Sequence, residues 1–295
     1  AGWRFLDIGR RIERGIRLLA NALRDTERDA RSTLSAGSAC PRHNLPTRRS
    51  SFVGRERELA DVARLLIGAP LLTLVGPGGV GKTRLAIQAA TAQVDRFSDG
   101  VWLVELASIT DPSLVPQAVA AAVNVTAAGG RPILESLRRG LSTRQMLLVL
   151  DNCEHVIDAC ARLAATLLAG CPDLRILATS RESLDVEGEQ VMPVPTLATP
   201  ADAAPILGDE VTAYPSVQLF LQRAKAANAA FVLTGDDAPA LAALCQRLDG
   251  LPLAIELAAA RAGTMPIREI LDRLDGSLDL LSGGRRPADP RQQTL

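Results

Sequence analysis

Lys82 and Thr83 close a run in which Gly76 and Gly81 are separated by four residues, the spacing G-x-x-x-x-G-K-[ST] of a phosphate-binding loop. Glycine there lets backbone N–H groups curl around phosphate oxygens with no side chain blocking their approach. The N–H groups and the dipole of a following helix would favour the same anion. On this pattern Gly76, Pro77, Gly78, Gly79, Val80, Gly81, Lys82, Thr83 and Arg84 are expected to cradle phosphates. The Lys82 ammonium would reach the β- and γ-phosphates, and the Thr83 hydroxyl would ligate Mg²⁺. A second chemical feature is Asp151, which ends the apolar run MLLVLD. A carboxylate at the C-terminal end of a buried parallel strand sits where such sheets hold ligands, and its expected role is coordination of Mg²⁺, directly or through water. Two further candidates have a bland reading beside the chemical one. Arg181 follows the apolar run LRILAT, where it is either a sensor of the γ-phosphate or a surface arginine. Glu154 is either a base for an attacking water or a solvent-facing helix residue.

Positioning these groups requires a strand before the glycine loop and a helix after it. Leu71 to Val75 is an apolar run of strand length, and Leu85, Ile87, Ala89 and Ala90 follow at helical spacing. Further strands are expected at 101–106, 146–151, 174–179 and 190–194. Helices are expected after Asp111-Pro112, over 131–140 and from His155 to Ala169. Beyond residue 214 the strand pattern stops. Helices are expected at 216–228, 238–248, 252–262 and 266–274, with Asp236 or Asp237 capping the second and Pro252 and Pro266 opening the third and fourth. The third is apolar nearly all round and should lie in the core of a small bundle. Residues 3–30 have the spacing of a basic amphipathic helix, and 31–50 have the Ser, Gly, Pro and Arg content of a linker. The domains read as 1–31 (basic helical segment), 32–50 (linker), 51–200 (nucleotide domain), 201–283 (helical lid) and 284–295 (linker and the start of another element).

Lys and Arg number 33 and Asp and Glu 33, so bulk charge gives no reason to expect a nucleic-acid or membrane-surface binder. No apolar run approaches the ~18 residues of a membrane span. Lysine occurs only at positions 82 and 225 in a chain that otherwise uses arginine, so its place in the glycine loop stands out. The five cysteines form no C-x-x-C pattern and read as small apolar side chains of a reducing, cytoplasmic compartment. The chain begins with Ala1 and stops inside a pattern, and the expectation is a piece of a longer protein.

Taken together, FVGRERE (52–58), GPGGVGKT (76–83), LLVLDNCEH (147–155), LATSRE (177–182) and GLPLAIELAAAR (250–261) resemble the NB-ARC-type signal-transduction (STAND) ATPases. The resemblance is strongest to those of bacterial SARP/LuxR-type transcriptional regulators. A short stretch, GWRFLDIGRRIER, also resembles part of the alpha-E helical domain. The main resemblance implies an α/β P-loop NTPase of the additional-strand class, with a five-stranded parallel sheet ordered 5-1-4-3-2 and a small all-α domain after it. It implies ATP and ADP as ligands with Mg²⁺, Val53 and Arg55 near the adenine, Pro252 closing over it, and Arg181 as the phosphate sensor. It further implies a switch: ADP holds a resting form, and ATP opens it about a hinge near 196–213, with a homo-oligomer in the ATP state. The effector, winged-helix and sensor domains would lie outside this chain, with RxxTL at Arg291–Leu295 opening the winged helix and DNA contacted only through a flanking domain. Asn152 stands where many relatives carry a second acid, so slow hydrolysis is expected. The competing class is an actively hydrolysing AAA+-like motor or P-loop kinase, against which Asp151-Asn152 and the lack of an arginine-rich lid both count.

Overall fold

The structure, a computed structural model, describes residues 42–47, 51–127, 130–200 and 208–274. The expected basic helix at 3–30, the RxxTL stretch and part of the expected hinge lie outside the described residues.

Five parallel strands form one sheet in the order β2-β3-β4-β1-β5, which is the expected order read from the opposite edge. They are β1 (Leu71–Val75), β2 (Val101–Glu105), β3 (Met146–Asp151), β4 (Leu174–Ser180) and β5 (Glu189–Pro193). β1 pairs with β4 through Leu71 opposite Ile176, and β3 pairs with β4 through Met146 opposite Leu174. Helices cover both faces, which is why the central strands read as unbroken hydrophobic runs. Alternate residues of β3 enter different cores, as the two-residue repeat of a strand demands. Leu148 and Leu150 pack with Val119, Leu137 and Leu163 from α3 (Val115–Ala122), α4 (Ile133–Leu141) and α5 (Ile157–Leu168). Leu147 and Val149 face Val62, Leu66 and Leu85 from α1 (Glu56–Gly68) and α2 (Lys82–Thr91). The C-terminal ends of β1, β3 and β4 are thereby adjacent, and the glycine loop, Asp151 and Arg181 all issue from that edge.

Helices α6 (Pro215–Ala227), α7 (Ala238–Arg247), α8 (Pro252–Arg261) and α9 (Ile267–Leu274) share a third core around Phe220, Leu241, Ile255 and Ile270. Leu197 belongs to this core and Val194 to the sheet, so the change from one to the other falls a few residues before the expected boundary at 200. Gly250 is in a left-handed conformation (φ 65°), and a Cβ there would stand 2.0 Å from the Leu197 carbonyl oxygen. That close approach lets Leu197 N–H donate to Gly250 O at 2.9 Å.

Three expectations need correction. His155 is not helical: Cys153–His155 form a 3₁₀ turn, and α5 begins at Ile157. Asp237 stands at the start of α7 but does not cap it, because its carboxylate accepts the Thr234 hydroxyl instead. Residues 42–47, read as linker, are part of the sheet edge. His43 bridges Val101, and the Asn44 side chain forks onto Leu103, accepting its N–H at 2.6 Å and donating to its carbonyl at 2.8 Å. A single amide side chain thus imitates one strand residue, which leaves no periodic signal, and the segment covers the β2 edge that would otherwise be open.

The four cysteines described, Cys153, Cys160, Cys171 and Cys245, are buried thiols. The neighbouring Cys160 thiol and burial together raise the pKa of Cys153, and burial pushes that of Cys245 up to about 12. These four should resist a disulfide reagent at pH 8 until denaturant is added, because thiolate is the reactive form. Asn44→Ala should lower the unfolding free energy by about 1–3 kcal/mol, read from urea unfolding, since it leaves both polar groups of Leu103 without their partner.

Candidate functional site

The loop after β1 cannot be straightened by its own sequence. Gly76, Gly79 and Gly81 have φ of 154°, 78° and 95°, a region that side-chain-bearing residues rarely enter. Gly81 then stands at the N-cap of α2, which has no side-chain cap. The loop forms one wall of a cleft of about 790 Å³, into which Val53, Arg55, Arg84, Glu154, Arg181 and Pro252 also open. The cations Lys82, Arg84 and Arg181 are set against the carboxylates of Glu154 and Glu256 in the same cleft.

Lys82 is buried and folds over the loop, its Nζ donating to Gly76 O at 2.8 Å and Pro77 O at 3.1 Å. Thr83 and Asp151, the expected metal pair, are brought together: the Thr83 hydroxyl donates to Asp151 Oδ1 at 2.6 Å. The same oxygen accepts the Thr179 hydroxyl at 2.6 Å, and Thr179 Oγ1 in turn accepts the Asn152 N–H at 2.9 Å. Asp151 is 1% exposed, so its charge is carried by these hydroxyls rather than by water. Hydroxyl and carboxylate oxygens are the hard donors Mg²⁺ takes, while most of its shell comes from water and phosphate. Among the described residues no three His, Cys, Asp or Glu side chains converge on one point.

Arg181 and Glu154, read from sequence as independent candidates, face one another with Nε and Oε1 3.5 Å apart. Arg55 is buried, in a left-handed conformation, and its Nη2 donates to Val80 O at 2.9 Å. Burial lowers its pKa, and the Glu58 carboxylate 3.6 Å away pulls it back up. Arg55 therefore supports the loop's outer side while also lining the cleft. Arg84 reaches across to the helical unit: Nη1 lies 3.4 Å from Glu256 Oε1, which also accepts Arg223 Nε at 3.0 Å. Its guanidinium lies over the Phe52 ring, 5.9 Å from the centroid.

The helical unit touches the loop directly. Leu253 N–H donates to Gly79 O at 3.2 Å, and a Cβ on Gly79 would stand 2.8 Å from the Leu253 Cβ. Pro252, just before it, opens α8 and lines the cleft beside Val53.

Sequence reasoning missed Thr179, Leu253, Glu256 and His155. The His155 ring is fixed by Nε2 against the carbonyls of Leu106 (3.0 Å) and Ile109 (2.9 Å) and by Nδ1 against Asn152 Nδ2 (3.2 Å). Two carbonyls at Nε2 require a proton there, so Nδ1 accepts from the Asn152 amide. Thr179 and His155 act at the ends of strands and Leu253 and Glu256 from α8, adjacencies that no local pattern encodes; the sole hint was their place inside or beside the family-like motifs.

A parallel sheet of this order, a glycine loop between β1 and its helix, and a carboxylate ending β3, with β4 between the two strands, define a P-loop NTPase fold. Its backbone is similar to that of the Walker-type ATPase of Pyrococcus abyssi, with a TM-score of 0.50 and 16% identity over 80% of this chain and 75% of that one. The NB-ARC domain family matches residues 55–204, and the chain belongs to it. It is 47% identical over 231 residues to a Mycobacterium tuberculosis (strain H37Rv) protein named as an HTH-type transcriptional regulator, covering 78% of this chain and 24% of that protein. It is 39% identical over 253 residues to an uncharacterized protein of the same organism, covering 86% of this chain and 61% of that one. The chain thus spans about a quarter of the regulators it matches. Among the described residues no helix is long and apolar enough to cross a membrane.

Gly79→Ala forces either a strained φ or withdrawal of Leu253. It should destabilise the protein by about 1–3 kcal/mol in urea unfolding and weaken nucleotide binding, whereas an alanine at the unobstructed Gly68 should do neither.

Proposed function

We propose that this chain is the ATP- and ADP-binding switch of a bacterial transcriptional regulator, a slow ATPase that controls an effector or DNA-binding region outside it. The observation that carries the reading is the backbone bond from Leu253 in the helical unit to Gly79 in the glycine loop. Through it, anything that rearranges the loop is felt by the lid, which is what a switch needs and a simple hydrolase does not.

In this reading the loop from Gly76 to Arg84 holds the phosphates and Lys82 turns from its loop carbonyls toward them. Thr83 and Asp151 hold Mg²⁺, which supplies neutralisation of phosphate charge. Val53 and Pro252 form the apolar walls for an adenine, with Arg55 behind the loop, and Arg181 answers to the terminal phosphate. Glu154 is the carboxylate available to take a proton from water, since Asn152 follows Asp151 directly. Asn152 in place of a second acid supports slow turnover. The names of the mycobacterial relatives support a regulatory setting, and the resemblance supports a cytoplasmic protein that oligomerises with ATP. Against a motor stands the same Asp151-Asn152 pair, which lacks the second acid a motor uses to activate water, and against a kinase stands a sequence without an arginine-rich lid.

Isothermal titration with Mg²⁺ should show both ADP and ATP binding to the wild-type chain, and Lys82→Ala should abolish both heats while leaving circular dichroism unchanged. Single-turnover hydrolysis should run below about 1 per minute, against the ~1–1000 per second of ordinary enzymes. Rapid multiple turnover would return the site to the motor or kinase class.

A further inference from the structure

Glu154 and Arg181 differ in how firmly they are held. The turn Cys153–His155 that carries Glu154 is clamped on both sides. Asn152 before it takes a left-handed conformation (φ 67°) and donates its N–H to Thr179 Oγ1. His155 after it is pinned to the carbonyls of Leu106 and Ile109. The Glu154 side chain is 20% exposed, and its Oε2 is buried with no hydrogen-bond partner. Arg181 is 56% exposed, and it is paired with the carboxylate oxygen of Glu154. Its Nη2 lies 3.8 Å from where a Cβ of Gly78 would stand, so the guanidinium hangs beside the phosphate loop. The turn that carries the carboxylate is held on both sides, and the arginine is the more exposed partner.

We propose that Glu154 is the resting counter-ion of Arg181, a positioning residue that sets how far the cleft favours a nucleoside triphosphate over a diphosphate. This rests on the nucleotide reading above and adds a selectivity device to it. A terminal phosphate and the Glu154 carboxylate compete for one guanidinium. A diphosphate, shorter by that group, leaves the pair intact. The cost of breaking the pair therefore weighs against the triphosphate alone, and selectivity is a difference of two affinities. Because Arg181 is more than half exposed, that cost is the modest one of a solvent-accessible ion pair, and its removal is worth about twofold to fivefold in affinity.

The test compares the affinities of ADP and a non-hydrolysable ATP analogue, both with Mg²⁺, by titration calorimetry. The variants are Glu154→Gln, Glu154→Ala, Arg181→Ala and Arg181→Ala/Glu154→Gln, each checked by thermal melting. Glu154→Gln and Glu154→Ala should each tighten the ATP analogue about twofold to fivefold and leave ADP unchanged. That gain should vanish when Arg181 is absent. Equal tightening of both nucleotides, or no tightening, overturns the proposal while the nucleotide reading stands. A gain that persists without Arg181 also overturns it, for Glu154 would then act by repelling phosphate. If the wild-type chain binds neither nucleotide, the underlying reading fails first.

Discussion

The site is built around one buried oxygen, Asp151 Oδ1, which accepts two hydroxyls at 2.6 Å. A carboxylate that is 1% exposed has lost most of its hydration, and the structure tolerates it because Thr83 and Thr179 donate to it from two sides. Those donors come from different elements. Thr83 belongs to α2, after the glycine loop, and Thr179 belongs to β4. The oxygen therefore fixes the phosphate helix against the neighbouring strand, and Asn152, bonded to Thr179, extends the same chain into the turn that bears Glu154. Removing the carboxylate would free both α2 and β4 from the end of β3.

The helical unit is joined to that centre by contacts that depend on missing side chains. Gly79 admits Leu253, and Gly250 admits the carbonyl of Leu197. Both are left-handed, so alanine would meet strain as well as collision. Beside these backbone approaches runs a polar contact of another kind, in which Glu256 takes both Arg84 and Arg223. It spans the cleft from α2 to α8 and α6, yet all three side chains are partly solvent-exposed, so it contributes little to stability. Its worth is positional, since it ties the residue directly after Thr83 to the unit that covers the loop.

Much of this was legible in the sequence because it was local. The glycine loop, the apolar runs of β1, β3 and β4 and the prolines at the starts of α8 and α9 are each written in neighbouring residues, and the sheet order followed once the motifs were placed in one family. What was illegible is what depends on adjacency of distant chain. Asn44 replaces a strand residue with a side chain, so its segment looked like linker. His155 looked like the start of a helix because the hydrophobic spacing of α5 runs up to it. It is held out of the helix by carbonyls from the far end of β2, which no window around residue 155 contains. Arg181 and Glu154 could be named separately, but nothing in their spacing of 27 positions said that they meet.

A common feature of the cations in the cleft gives the arrangement its meaning. Lys82 rests on two carbonyls of its own loop, Arg84 on Glu256, and Arg181 on Glu154. None stands as a bare charge, so on the proposed reading binding a phosphate chain would be an exchange of partners and not a simple gain. Exchange lowers the net affinity, because each new contact is offset by one given up. In return, every exchange alters something else: the loop carbonyls of Gly76 and Pro77, the tie to α8, or the turn beside Asp151. A site of bare cations would bind more tightly and report less. On the proposed reading, the extent of the phosphate chain would decide which of these ties survive, and a small ligand would thereby bias a helical unit whose apolar core it does not enter.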